Sequence, residues 1–115
     1  MSVPNQLVGI PVGSTVMLDC HLESSPLALH FWNREDGLVL HESAKYRMQS
    51  LTGPSAAPTY KTHLRLAITN VTSQDYGSYR CVAKNPFGEA DGVIKLYRKS
   101  HRLHQFTEAI DDHFR

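Results

Sequence analysis

A chain of 115 residues carrying 12 basic and 11 acidic side chains has a formal net charge of +1. It is one domain's worth of sequence, without the global field that nucleic acid or an anionic membrane would call for. With 41% hydrophobic residues it holds enough apolar surface for a core, yet it sits near the size where a covalent staple helps.

In chain order the elements read as short strands. Asn5 to Ile10 is an edge segment, because Pro4 and Pro11 cannot donate to a ladder. Gly13-Ser14 turns into a strand in which Val16, Leu18 and Cys20 alternate with Thr15, Met17 and Asp19. The next strand, about Leu27 to Asn33, places Ala28, His30 and Trp32 on one face and Leu27, Leu29 and Phe31 on the other. Apolar residues on both faces imply a bulge or a covered outer face. His30 reads as a hydrogen-bonded core histidine in preference to a metal ligand. Glu35-Asp36-Gly37 is a turn signal, with Leu38 to His41 returning as hairpin partner. Lys45-Tyr46-Arg47-Met48 begins another strand, and Thr52 to Pro58 is a small-residue, proline-rich loop. Thr62 to Ile68 alternates most cleanly, with Leu64, Leu66 and Ile68 inward, and Val71 continues the core. In Asp75-x-Gly77-x-Tyr79-x-Cys81 the period of two points Tyr79 and Cys81 to the same inward face. Gly77 allows the tight turn into that strand. Asn85-Pro86-Phe87-Gly88 turns into the last strand, Glu89 to Tyr97, with Ala90, Ile94 and Leu96 inward.

After Tyr97 the character changes. Eight basic and eight acidic residues balance up to that point, so the net charge comes from the last 18 positions. Leu103, Phe106 and Ile110 fall on one helical face, giving a tail (98–115) that is a short helix or disordered. His101-x-x-His104 with Asp111-Asp112-His113 is a weak metal motif, and no metal site is assigned to it.

The run Leu64-x-Leu66-x-Ile68-x-Asn70-Val71 followed by Asp75-x-Gly77-x-Tyr79-x-Cys81-x-Ala83-x-Asn85-x-x-Gly88 resembles the immunoglobulin superfamily, in its intermediate (I) set, over about Val3 to Tyr97. Pro4 to Gly9, Trp32 to Gly37, Tyr60 to His63 and Cys81 to Pro86 are similar to the third, membrane-proximal domain of insect Dpr-interacting proteins, which are lachesin-like neuronal surface receptors. The resemblance implies an all-β, Greek-key immunoglobulin-like β-sandwich over 1–97. It implies a Cys20–Cys81 disulfide across the sheets, with Trp32 packed against it and the Tyr79 hydroxyl returned to the backbone upstream. Asp75 and Leu66 complete the structural core set, and Lys45 is the basic partner implied for Asp75, with Arg47 the other candidate. Lysine in place of the usual arginine puts a bidentate bridge in doubt. The tail does not match the family, whose last domain leads to a stalk and an anchor.

Function follows from what is present and missing. There is no Gly-x-Ser-x-Gly, no Gly-rich phosphate loop and no Cys-x-x-Cys, so the chain reads as neither an enzyme nor a cofactor binder. Asn70-Val71-Thr72 is the one glycosylation sequon. Met1-Ser2-Val3-Pro4 does not resemble a secretory leader, and no run reaches the roughly 18 apolar residues of a membrane span. Two cysteines at sandwich positions and a sequon nevertheless favour a fragment of an extracellular chain, on the outer face of the plasma membrane. The resemblance implies a spacer domain of a neuronal adhesion receptor. Its partners would be immunoglobulin-type surface proteins met through the full-length receptor, without nucleic acid or small-molecule substrate, and membrane only through parts outside this chain. Candidate outward contacts are Phe31, Val39, Val82 and Val93. The alternatives are a structural module of a muscle or cytoskeletal chain with reduced cysteines, or a secreted soluble fragment.

Overall fold

Alternating apolar residues over short stretches make half-buried strands, and two apolar faces of that kind satisfy each other by stacking. The computed structural model describes residues 6–24, 28–54 and 60–100, and in it seven strands form two sheets. They are β1 (Gln6–Ile10), β2 (Val16–Ser24), β3 (Leu29–Arg34), β4 (Tyr46–Pro54), β5 (Tyr60–Ile68), β6 (Gly77–Asn85) and β7 (Gly88–Arg98). A single 3-10 turn, Ser73–Asp75, precedes β6. One sheet has the order β1-β7-β6-β3 and the other β2-β5-β4. The architecture is an all-β immunoglobulin-like sandwich.

Between the sheets Leu18, Leu66 and Ile68 from one layer meet Trp32, Tyr79, Ile94 and Leu96 from the other, all of them buried. Val71 closes one end of this core, and it is fixed there because its N–H donates to Ser14 O (2.9 Å) while its carbonyl accepts from Gly13 N–H (2.7 Å). β1 pairs in parallel with β7, from Gln6 opposite Ile94 to Ile10 opposite Arg98. The beginning of β1 therefore points to the end of the sandwich that carries the Asn85–Gly88 turn, here the N-terminal pole. The chain leaves at the opposite, C-terminal pole, where Lys99 N–H donates to Ile10 O (3.1 Å) beside the turn that contains Gly13.

Several expectations are corrected. Leu38 to His41 does not form a strand. It returns antiparallel through one bridge, Asn33 with Val39, flanked by Leu40 N–H to Trp32 O (2.9 Å), and then leaves the sheet once Leu40 is buried. Among the described residues β3 has no bulge, since its ladder runs unbroken from Leu29 opposite Lys84 to Arg34 opposite Tyr79, and Leu29 is 66% exposed. The expected loop from Thr52 begins later. β4 continues to Pro54, opposite Tyr60, because an edge strand accommodates a proline that cannot donate. The helical tail and the His101/His104 motif lie outside the described residues.

Candidate functional site

Four residues named from the sequence meet at the C-terminal pole, held by the approach to β6. Asp75 closes the 3-10 turn, so its carboxylate folds back on the turn's own start and accepts from Thr72 N–H (2.7 Å) and Thr72 Oγ1 (3.2 Å). Lys45, just ahead of β4, donates through Nζ to Asp75 Oδ2 (2.6 Å) and to Asn70 O (3.0 Å). Burial opposes ionisation of Asp75, but the Lys45 ammonium and the Thr72 donors outweigh it and hold the carboxyl below the usual range. Arg47 is exposed and on the ladder facing Ala67, not at the carboxylate. Asn70 adopts a left-handed backbone (φ 48°), a conformation asparagine tolerates, and its side chain is exposed.

At the centre, Cys20 on β2 and Cys81 on β6 are joined across the sheets, with Cα atoms 6.5 Å apart. Trp32 stands on the same rung as Cys81 and is 2% exposed. The Tyr79 hydroxyl donates to Asp75 O, and burial pushes its pKa up. Two supports were not visible in the sequence. Arg34 lays its guanidinium 4.9 Å from the Tyr79 ring centroid and donates to Tyr76 O (3.1 Å). Glu35 accepts from Ser78 N–H (2.8 Å), tying the turn after β3 to the start of β6. A lone arginine and glutamate around a turn carry no periodic signal that would have singled them out.

The outer face of the four-stranded sheet is a candidate contact surface. Its rungs read Leu29–Lys84–Glu89, Phe31–Val82–Asp91 and Asn33–Arg80–Val93. Val82 was expected outward and available; it points outward but is 0% exposed. The reason lies in Arg80, which donates through Nε to Asp91 Oδ2 (2.6 Å) and through its other arm to Glu89. Its side chain thus runs along two rungs, past Val82, with Phe31 on the other side. Phe31 and Val93 are half-buried and Val39 is exposed, so these three remain as candidates. Asn33, Arg80 and Val93 also border a shallow cleft of 270 Å³, and Asn33 Oδ1 is buried there without a hydrogen-bond partner. His30 departs from expectation as well. Its Nε2 is buried without a partner, facing a gap between β3 and β4, and burial lowers its pKa, favouring the neutral ring.

On the opposite outer face, His21 and His63 stack with ring centroids 4.3 Å apart. Asp19 joins them, 2.7 Å from His63 Nε2, and accepts from Arg65 Nε at 2.8 Å. Among the described residues no three histidine, cysteine or carboxylate side chains are grouped to hold a metal ion. No helix among them is long and apolar enough to cross a membrane. What the surfaces offer is shape, a few apolar side chains and paired charge, which suits contact with another protein.

A family model described as an immunoglobulin domain matches residues 1–85. Contactin-3 of Rattus norvegicus is 37% identical over 91 residues, covering 79% of this chain and 8% of that protein. Lachesin of Drosophila melanogaster is 30% identical over 97 residues, covering 84% of this chain and 26% of that protein. The crystal structure of Dpr2 Ig1-Ig2 in complex with DIP-Theta Ig1-Ig3 contains a chain 37% identical, with a TM-score of 0.68, covering 83% of this chain and 30% of that one. The chain therefore spans a small part of the proteins it matches.

Proposed function

The chain belongs to the immunoglobulin superfamily, and we propose that it is an extracellular, non-catalytic module of a neuronal cell-surface adhesion receptor, one domain in a tandem array. Its role in that array is a spacer near the membrane, while partner specificity belongs to other domains. The closed Cys20–Cys81 bond carries this reading, because such a bond persists outside the reducing cytosol. The likeness to Lachesin and to a chain of a Dpr–DIP complex supports it further, and the 30% share of that chain is close to one domain in three. Charge balance within the domain fits the same role, since a spacer needs solubility more than a steering field.

Two measurements test the reading. Immobilised on a surface, the isolated chain shows no measurable binding to Dpr-type ectodomains; clear saturable binding would move the specificity element into this domain. Thiol counting on the protein from its native cells finds no free cysteine. Two free thiols would instead favour a reduced structural module of the muscle type.

A further inference from the structure

On the outer face of the β2-β5-β4 sheet the ladder puts two imidazoles on one rung, His21 opposite His63. Their rings stack with planes 22° from parallel. Opposed residues of an antiparallel pair hold their Cβ atoms about 5 Å apart, close enough for two ring nitrogens to share an ion. The two rings are not equally free. His63 is held, because Asp19 Oδ1 lies 2.7 Å from its Nε2 and is itself fixed by Arg65 Nε. Burial opposes ionisation of Asp19, but the hydrogen bonds from Arg65 and His63 outweigh it and keep the carboxyl below its usual range. An ionised carboxylate only accepts, so His63 Nε2 carries the hydrogen and Nδ1 of the neutral ring keeps its lone pair. A carboxylate behind a histidine is the arrangement that orients a metal-binding imidazole and raises its basicity. His21, by contrast, is exposed and turns without disturbing the core. The flanking rungs each set an acid opposite a base, Asp19 with Arg65 and Glu23 with Lys61, so they add no net charge to repel a cation. Both cysteines, which would compete for a soft ion, are bonded to each other.

From this juxtaposition we propose that His21 and His63 chelate one divalent transition-metal ion per chain, of the zinc or copper class, with Asp19 as the positioning residue behind His63. Stacked rings aim their lone pairs side by side, so binding turns His21 out of the stack and toward Nδ1 of His63. Among the described residues no third histidine, cysteine or carboxylate joins the set. Water therefore fills the ion's other positions, and the site stays open to solution. Two imidazoles suit copper and zinc, whereas calcium and magnesium take oxygen ligands and are refused. The ion clips β2 to β5 on the face away from Phe31 and Val93, where it leaves the contact surface of the other sheet untouched.

The experiment titrates the full, untagged chain with zinc chloride and then copper chloride, read by calorimetry and, for zinc, by the histidine ring nitrogen signals. The expected result is one ion per chain, bound more tightly as copper than as zinc, with no response to calcium chloride. Nδ1 of His63 and one ring nitrogen of His21 shift together. His21→Asn, at an exposed position, removes the binding and keeps the melting temperature. Asp19→Asn leaves both ligands in place, weakens zinc about tenfold and lets the His63 ring exchange tautomers in the same nitrogen signals. An Asp19→Asn variant that binds as tightly as the native chain overturns the positioning role. His101, His104 and His113 offer a competing route, so the titration is repeated with all three replaced by asparagine. Unchanged binding supports the sheet site, and loss of binding overturns it. Zinc binding that survives His21→Asn, or no zinc binding by the native chain, overturns it as well. Half an ion per chain with a dimer mass overturns the single-chain site in favour of an ion shared by two copies.

Discussion

Asp75 shows how one carboxylate can serve three donors. It ends the 3-10 turn, satisfies both polar groups of Thr72 and pairs with Lys45, all from a side chain only 7% exposed. Replacing Asp75→Asn leaves a lysine without its counter-charge next to a buried amide. The expected loss is about 2 kcal/mol at neutral pH, below the usual cost of breaking a fully buried pair because Lys45 is 32% exposed. The folded pKa of Asp75 lies below the unfolded value, so its contribution is whole above about pH 4 and disappears as pH falls through the folded pKa. Denaturant melts of native protein and variant should therefore converge in strong acid, and a constant gap down to that range would remove the account. At this scale the family resemblance was informative, since it implied Lys45 as the basic partner of Asp75. It was silent on Arg34 and Glu35, whose roles depend on which turn folds beside which strand.

Elements differ in how much of them periodicity declares. β5 and β7 alternate because one face of each packs on the core while the other points outward, so each residue has one of two environments and the apolar ones mark the core. Leu38 to His41 has the same local preferences, but the segment leaves the sheet once Leu40 is buried, and one bridge is all that survives. Alternation also assigns a face and not a cover, which is why Val82 was placed outward correctly while the Arg80 side chain lying past it was missed. The start of β6 carries the sharpest single-residue test. Gly77 has φ +131°, and a Cβ there would run into the Glu35 carboxylate that accepts from Ser78. Gly77→Ala should cost about 2 kcal/mol through backbone strain and the displaced carboxylate, lowering the melting temperature by about 10 °C. Adding Glu35→Ala should recover the steric part only. Full recovery in the double variant would mean that backbone strain plays no part.

For the molecule as a whole, the sandwich and its central cross-link were legible, since Cys20, Trp32, Tyr79 and Cys81 combine spacing with alternation. The surfaces were not, because exposure depends on long side chains whose paths no pattern records. Reduction of Cys20–Cys81 frees a loop with a sequence separation of 61 and should lower stability by about 4 kcal/mol on the chain-entropy account. A reduced protein melting within a degree or two of the oxidised one would contradict that. The exposed Asn70, beside the C-terminal pole, should carry a glycan in protein from secretory cells, and mass spectrometry finding it bare would withdraw the assignment. The parallel seam of β1 on β7 has a mechanical corollary. Tension applied between the two ends of the domain loads five rungs in shear, all together, where an antiparallel hairpin would peel one bond at a time. Once that seam slips, the segment enclosed by Cys20 and Cys81 stays closed, and only the flanking lengths pay out as slack. A domain built this way lengthens under strain only by those flanking lengths, because the bond holds back the segment it encloses.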